Sequence, residues 1–584
     1  MRLHRYDTAV VGGGVAGMRA ALETAARGRT VVLTKTHPTR SLTGAAGGDL
    51  AAALATVDDD DVEWHAYDTV VGGDGLVDQD AAEVLCAEAP AAVLGLEELG
   101  LPFDRTPAGL IDQRWAVGHT RAHGAAPVRR ACHAADRTTA MLLATLYEQC
   151  VARGVEFLVE FPVLDLLLVD GCAAGVVAYE LVTGELHVVA ARAVILATGG
   201  AGQLFPLTSD AVPVTGDGLA IALRRGLALQ DMEFVQFHPT GLAGRGAVVA
   251  EAARAEGGVL RNRDGEAFLR RYAPALADTA PRDVVARAVL AEIRAGRGCG
   301  PAGDHVDLDL TGLAPDRLAT LGDVVDLARG YLDVDPRTRP IPVLPTAHAV
   351  MGGIPTTVRA EVLGDGRRVV PGLYAAGEVA CVPVHGANRL GGNGLAEAVV
   401  FGRRAGIAAG EHDAPQVDLP GEPAAFVAGM LDALRGGSGG ESADAVRAGL
   451  QATMGAHVGA VRTGEGLARA EADLAVLTDR YQRVGLSDTG RTYNTELLRT
   501  VETGFLLDVA RCVVTCARWR TESRGAHHRE DRPQRDDDRF LRHTLASLAG
   551  PRRPRHRGRG CGWVTGRSRS PVTRPPSARA EPGP

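Results

Sequence analysis

The sequence predicts an α/β protein: a doubly wound parallel sheet, an inserted domain, and a helical domain toward the C-terminal end. Three observations predict it. Residues 6–11 (YDTAVV) read as a buried strand, 15–27 as a helix and 30–34 (TVVLT) as a second strand, so the chain opens on a βαβ unit. Gly12-x-Gly14-x-x-Gly17 falls in the turn between the first strand and the helix, where glycines let backbone N–H groups meet a pyrophosphate. The balance of 73 glycines, 46% hydrophobic and only 4% aromatic residues suits close backbone packing around a cofactor.

The later elements follow from texture. Short apolar runs alternate with helical stretches to about residue 200. Ala193–Gly200 (AVILATGG) and Leu373–Gly377 (LYAAG) read as sheet strands whose carboxyl ends face a ligand. From about Asp231 to Met351 the sequence turns to His-, Arg- and Gly-rich loops with shorter elements, the mark of an inserted domain. Residues 410–440 read as a loop-rich boundary, and helical patterning runs from about Ala443 to Ala517. The last 34 residues are rich in Arg, Pro, Gly and Ser and are expected to be disordered.

Composition excludes several classes. At 584 residues the chain has room for about three to four domains and large apolar cores, which rules out a disordered protein or a small disulfide scaffold. Its 63 basic residues include a single lysine, Lys35. The net charge of −8 divides into +8 on residues 551–584 and −16 on the rest, and an acidic body argues against nucleic-acid binding. Nine scattered cysteines with no C-x-x-C predict neither a metal nor an iron–sulfur site, and suit a reducing, cytoplasmic compartment. Met1 leads straight into strand-like sequence, so no leader is expected, and no run approaches the roughly 20 apolar residues of a membrane span.

The acid that usually holds a ribose about 20 residues after the glycines is replaced by Thr34-Lys35, so a nicotinamide dehydrogenase fits poorly. Thr34-Lys35-x-x-Pro38-Thr39-Arg40-Ser41 instead resembles the S-K-x-x-P-T-R-S segment of succinate dehydrogenase and fumarate reductase flavoprotein subunits. The resemblance continues through Glu63–Val70 (EWHAYDTV), Asp78–Ala81, Gly100–Phe103, Ala135–Thr138 and Ala197–Gly202. It is most specific in Gln236–Gly241 (QFHPTG), His385–Asn393 (HGANRLGGN) and Arg520–His527 (RTESRGAH), and it covers about residues 5 to 545.

The resemblance implies an FAD-binding domain in two parts, 1–233 and 350–409. An α+β capping domain at 234–349 is inserted between them and a helical domain follows at 410–545; the basic tail at 546–584 is expected to be disordered, and beyond Pro551 it does not resemble the family ending. It implies FAD contacts from Gly12, Gly14, Gly17, Lys35 near the adenosine, Ser41, Thr43, Gly48, Asp217, Glu378 on the ribityl chain, Asn393 and Leu395. A C4 dicarboxylate would be clamped by His238, His348 and Arg389, since Arg pairs bidentately with carboxylates. Arg282 would move the proton while a hydride passes to or from the flavin. An arginine does this only if its proton is replenished, and Glu251-x-x-Arg254 matches the family's relay positions.

The resemblance has departures. The family's S-H-T, whose histidine bonds covalently to FAD, reads Ser41-Leu42-Thr43, so FAD is expected to bind non-covalently. A-Q-G-G reads Ala46-Gly47-Gly48-Asp49, which puts an additional acid near the flavin. Q-R-P-F-G-G reads Gln113-Arg114-Trp115-Ala116-Val117-Gly118, Ala250 replaces a threonine, and N-S-L reads Asn393-Gly394-Leu395. Loss of the covalent bond, and Asp49 if ionised, would both favour fumarate reduction over succinate oxidation. The implied function is succinate–fumarate interconversion, with iron–sulfur and membrane-anchor subunits as partners and a peripheral place on the cytoplasmic side of the membrane. An L-aspartate oxidase-like or other C4-dicarboxylate flavoenzyme and a diverged, low-activity paralogue are the alternatives. The altered pocket leaves acceptance of succinate and the preferred direction open.

Overall fold

The computed structural model describes residues 1–40, 48–135, 137–437 and 439–548, with the backbone alone of 563–567. Five parallel strands form the central sheet, in the order Val369–Ala375, Leu186–Leu196, Arg2–Val11, Thr30–Thr34 and Glu156–Val159. The strands Leu186–Leu196 and Thr30–Thr34 and the second half of Arg2–Val11 are almost wholly buried and read as continuous Val, Ile, Leu and Ala runs rather than alternating ones. An antiparallel meander, Val163–Val169 and Cys172–Tyr179, is attached through Leu186–Leu196. The α/β class, the inserted unit and the C-terminal helices are those the sequence predicts.

The first strand passes into the helix Val15–Ala25 through a turn that demands glycine. Gly12 has φ +114°, and a Cβ on it would lie 2.1 Å from the carbonyl oxygen of Ala197. The helix Asn393–Gly410 packs along Val15–Ala25 with almost no spacing, since Cβ atoms on Gly402 and Gly406 would strike the Ala16 and Ala20 backbone at 2.7 and 2.4 Å. Two distant chain segments are thereby held against the same loop.

An antiparallel sheet, in the order Val235–Leu242, Ile341–Val350, Val306–Asp309 and Val259–Arg261, carries its own apolar core of Leu242, Val249, Leu260, Phe268, Val285, Val306 and Ile341. The helices Ala443–His457, Gly464–Tyr481 and Thr495–Trp519 follow. The last is buried along most of its length and lies against the central unit.

Two expectations change. The stretch 410–440 is not all loop, because Ala425–Arg435 is a helix that buries Val427 and Leu431; Pro and Gly clusters at both ends masked its short apolar stripe. The tail expected to be disordered from 546 contains strand. Thr544–Leu548 runs past that boundary and pairs with Leu229–Gln230 on one side and with the backbone of Trp563–Arg567 on the other. A sheet edge at Leu229–Gln230 supplies the hydrogen-bond partners that composition does not reveal.

Candidate active site

One cavity is lined both by the glycine turn and by residues of the insertion. Gly12, Gly14, Lys35, Gly48, Asp217, Glu378 and Leu395 line it, together with Arg282, His348 and Arg389. Residues from both parts of the central unit and from the insertion therefore share one space. Gly14 precedes the helix Val15–Ala25 without any side-chain cap, so the first N–H groups of that helix face the cavity unclaimed. Gly17 does not line it. A Cβ there would meet the Gly12 carbonyl at 2.0 Å, so this glycine serves close packing of helix on turn.

Lys35 lies at one end of the cavity. Its Nζ donates to Thr215 Oγ1 (2.8 Å) and Glu502 Oε1 (2.6 Å) and pairs with Asp217 Oδ2 (2.9 Å). Burial works against its charge, but Asp217 and Glu502 outweigh that and hold the lysine above its ordinary range. Glu502 comes from the C-terminal helix and has no sequence signal, being separated from Lys35 by 467 positions.

The other end holds the cations. Arg282 opens the helix Arg282–Glu292, directly after Pro281. Its Nε lies 3.2 Å from Glu251 Oε1, its Nη2 3.3 Å from Glu251 Oε2, and its Nη1 donates to Gln236 Oε1 at 3.0 Å. Glu251 Oε1 also accepts from Arg254 Nη2 at 2.9 Å, so one carboxylate bridges two guanidiniums. Burial pushes Glu251 up, but Arg282 and Arg254 prevail and keep it below the usual carboxylate range. The Arg254 side chain is fully inaccessible, which lowers its pKa, and its Nε has no partner among the described residues.

His238 and His348 meet edge-to-face with ring centroids 5.1 Å apart. His238 Nδ1 accepts from the Thr240 N–H at 3.3 Å, which leaves Nε2 carrying the hydrogen. His348 Nδ1 lies 2.8 Å from Ser209 Oγ. Desolvation first, and then the neighbouring arginines, drive both far below the ordinary histidine range. They are neutral hydrogen-bond donors, and the positive charge at this end belongs to Arg282 and Arg389. Arg389 is itself lowered by burial, against the pull of Glu378.

Several residues differ from expectation. Asn393 does not line the cavity; its amide is committed to His65 Nε2 (2.8 Å) and Thr69 Oγ1 (2.9 Å), which anchors the start of Asn393–Gly410. Asp49 lines the cavity but is not a lone acid. Arg114 clasps it bidentately at 2.7 and 2.8 Å and Thr138 Oγ1 adds 3.2 Å, so its charge is offset where it forms. Glu378 accepts from the Val350 N–H at 2.9 Å, and burial raises its pKa. Ser41, Leu42 and Thr43 lie outside the described residues. Sequence reasoning also missed Asp210, a cavity acid raised by burial and by Glu378, and Glu397, which pairs with His385 at 3.2 Å.

Comparison with known proteins agrees with this geometry. Residues 7–395 match the family described as FAD binding domain, and residues 447–557 the one described as Fumarate reductase flavoprotein C-term. The succinate dehydrogenase flavoprotein subunit of Rickettsia conorii is 45% identical over 555 residues, which covers 93% of each chain. The fumarate reductase flavoprotein subunit of Mycobacterium tuberculosis is 43% identical over 565 residues, covering 93% of this chain and 94% of its own. Among solved structures, quinol fumarate reductase of E. coli superposes with a TM-score of 0.91 at 38% identity, covering 98% of both chains. By these matches, spread over nearly its whole length, the chain belongs to the succinate dehydrogenase and fumarate reductase flavoprotein subunit family.

Proposed function

We propose that this chain is an FAD-dependent oxidoreductase that interconverts succinate and fumarate, working as the flavoprotein subunit of a respiratory complex. The observation that carries the reading is the bridge from Glu251 to both Arg254 and Arg282, with Arg282 opening on the same cavity as Arg389, His348 and the glycine turn.

The residues present fit FAD. The glycine turn leaves no room for a Cβ at Gly12, the helix behind it presents N–H groups without a side-chain cap, and the Thr198 hydroxyl on the cavity wall is buried with no partner among the described residues. When bound, FAD supplies the centre that gives up or accepts the hydride. Arg389 charges one end of the substrate space, and His238 and His348 offer neutral N–H groups to carboxylate oxygens. Arg282 delivers a proton to the carbon next to the one that gains the hydride. Glu251 Oε2, 3.3 Å from Arg282 Nη2, restores that proton, and Arg254 recharges Glu251 in turn. Burial of the group keeps bulk water from competing and strengthens each charge on the dicarboxylate.

Leu42 offers no nucleophile, so we infer that the flavin is held without a covalent bond, which would favour fumarate reduction over succinate oxidation. The family relatives are subunits of quinone-linked complexes such as quinol fumarate reductase, which supports iron–sulfur and membrane-anchor partners. No described helix is long and apolar enough to cross a membrane, which fits a peripheral place on such anchors.

The test is anaerobic. Protein loaded with FAD and chemically reduced is mixed with fumarate while flavin absorbance is followed. Rapid reoxidation is the expected result, and bound flavin that ignores fumarate would overturn the reading. Acid precipitation of the loaded protein then separates free from attached flavin; yellow supernatant is expected, and a fluorescent protein band would refute non-covalent binding.

A further inference from the structure

The stretch 388–393 carries Arg389 into the cavity and leads into the helix Asn393–Gly410. Its backbone passes close over the bridge between Glu251 and Arg282. A Cβ built on Gly391 would lie 2.8 Å from Glu251 Oε2 and 3.5 Å from Arg282 Nη2. A shift of the Gly391 peptide therefore crowds or frees the carboxylate oxygen that faces Arg282. The stretch is fastened at several points. Gln236 Nε2 donates to the Arg389 carbonyl and to Asn388 Oδ1, both at 2.8 Å, and the Asn388 amide reaches Asp283 at 3.4 Å. The Ala51 N–H donates to the Gly392 carbonyl at 3.3 Å, and the Asn393 amide is committed to His65 and Thr69. Gly391 itself is buried, and its carbonyl lies 2.7 Å from His119 Nε2.

The surroundings of the ring fix the sense of that bond. His119 is buried in the strand Gln113–Arg121. Its Nδ1 lies 3.1 Å from Arg130 Nη1, and a guanidinium only donates, so Nδ1 accepts and Nε2 carries the hydrogen offered to Gly391. Arg130 is fully buried and immobilised in turn. Its Nε and Nη2 lie 2.8 and 2.5 Å from the Asp60 carboxylate, its Nη1 lies 2.8 Å from Asp68 Oδ2, and Nη2 also donates to the Thr120 carbonyl at 3.1 Å. Asp68 accepts from both the N–H and the hydroxyl of Thr120, which secures the strand beside His119. Asp68 belongs to the helix Val62–Gly72, the same helix that sends His65 and Thr69 to Asn393. One helix thus grips the backbone at 391–393 twice, once directly and once through Arg130 and His119.

Resting on the reading above, we propose that His119 is a positioning residue for the proton step: a donor oriented by Arg130 that holds the Gly391 peptide against Glu251 and so sets how Glu251 meets Arg282. His119 does not line the cavity, and both of its ring nitrogens are occupied, so it neither touches the substrate nor passes a proton itself. A buried carbonyl deprived of its donor shifts toward another partner, and here that movement is transmitted to Glu251 by contact. The Arg389 backbone is tied separately through Gln236, so loss of the His119 donor acts on turnover more than on substrate binding.

The experiment uses full-length, FAD-loaded protein. His119→Leu removes the donor, whereas His119→Gln keeps an N–H for the Gly391 carbonyl and an oxygen for Arg130. Gly391→Ala leaves His119 in place and presses a methyl group on Glu251. Reoxidation of the chemically reduced protein by fumarate should slow about 10- to 100-fold in His119→Leu and in Gly391→Ala, with half-saturating fumarate within about twofold of the parent. His119→Gln should restore most of the rate. Amide hydrogen exchange over 388–394, read by mass spectrometry, should quicken in His119→Leu and return to the parental rate in His119→Gln, with FAD content unchanged in both. A parental reoxidation rate in His119→Leu would overturn the proposal, as would an equal loss in His119→Gln, which marks a role of ring shape rather than of the donor. Should His119→Leu fail to fold, a parental rate in Gly391→Ala overturns it equally. If the unsubstituted protein itself ignores fumarate, the reading of the activity fails, and unchanged exchange in His119→Leu still decides separately against His119 as the holder of Gly391.

Discussion

A Cβ built on Gly394 falls 2.6 Å from Arg389 Nη1, so the guanidinium occupies the space that a larger residue at 394 would fill. The conformation of Arg389, the proposed substrate cation, and the absence of a side chain at 394 are therefore one feature. Gly394→Ser should displace Arg389 and weaken fumarate binding. We expect KM to rise about tenfold, equivalent to roughly 1.4 kcal/mol, with a smaller fall in kcat. Steady-state kinetics decides it, and an unchanged KM would show that Arg389 does not bind a carboxylate.

Glu251→Gln keeps size and hydrogen bonding but cannot carry a proton between Arg254 and Arg282. The expected outcome is a fall in kcat of about 10²- to 10⁴-fold, with FAD content and KM near those of the parent. Stopped-flow reoxidation by fumarate measures it. A variant with parental kcat would remove the proton path from the mechanism.

Lys35→Met would leave Asp217 and Glu502 facing each other without their cation. Breaking a buried ion group of this kind costs about 3–5 kcal/mol, so both melting temperature and FAD affinity should drop. Glu502→Gln, which keeps one hydrogen bond to Lys35, should be milder on both counts. Fluorescence titration with FAD and thermal melts are the measurements, and unchanged FAD affinity in Lys35→Met would place Lys35 outside the cofactor site.

Burial holds His65, His119, His238, His348 and His527 well below the ordinary histidine value. Below about pH 6.5 the unfolded chain takes up protons at these positions while the folded chain does not, so stability falls as pH drops from 6.5 toward the folded values. Each contributes up to about 1.4 kcal/mol per pH unit in that window. His119→Gln should therefore flatten the loss of melting temperature between pH 6.5 and 5 relative to the parent. Parallel curves would mean that His119 is charged in the folded protein.

The central unit was readable because its information is local. The βαβ opening, the glycine turn and the strands ending in Ala-Thr-Gly-Gly and Ala-Ala-Gly depend on residues near one another in sequence. The strings that carry Glu251, Arg254 and Arg282 were also visible, and the fold brings those three side chains into contact. What was hidden comes from pairs brought together only by folding. Asp49 read only as an additional acid near the flavin because its partner Arg114 lies 65 positions away, and the commitment of the Asn393 amide was hidden because His65 and Thr69 lie on a remote helix. The helix Ala425–Arg435 escaped notice because it is short and bounded by strong turn signals, and the strand Thr544–Leu548 because its partner edge is more than 300 residues earlier.

The contact between Lys35 and Glu502 also bears on biosynthesis. A ribosome makes the glycine turn and Lys35 almost at once, yet the carboxylate that holds Lys35 is synthesised only after some 500 residues. The one lysine of the cavity wall therefore gains this partner late, and chains truncated before Glu502 are expected to load FAD less well than the full chain.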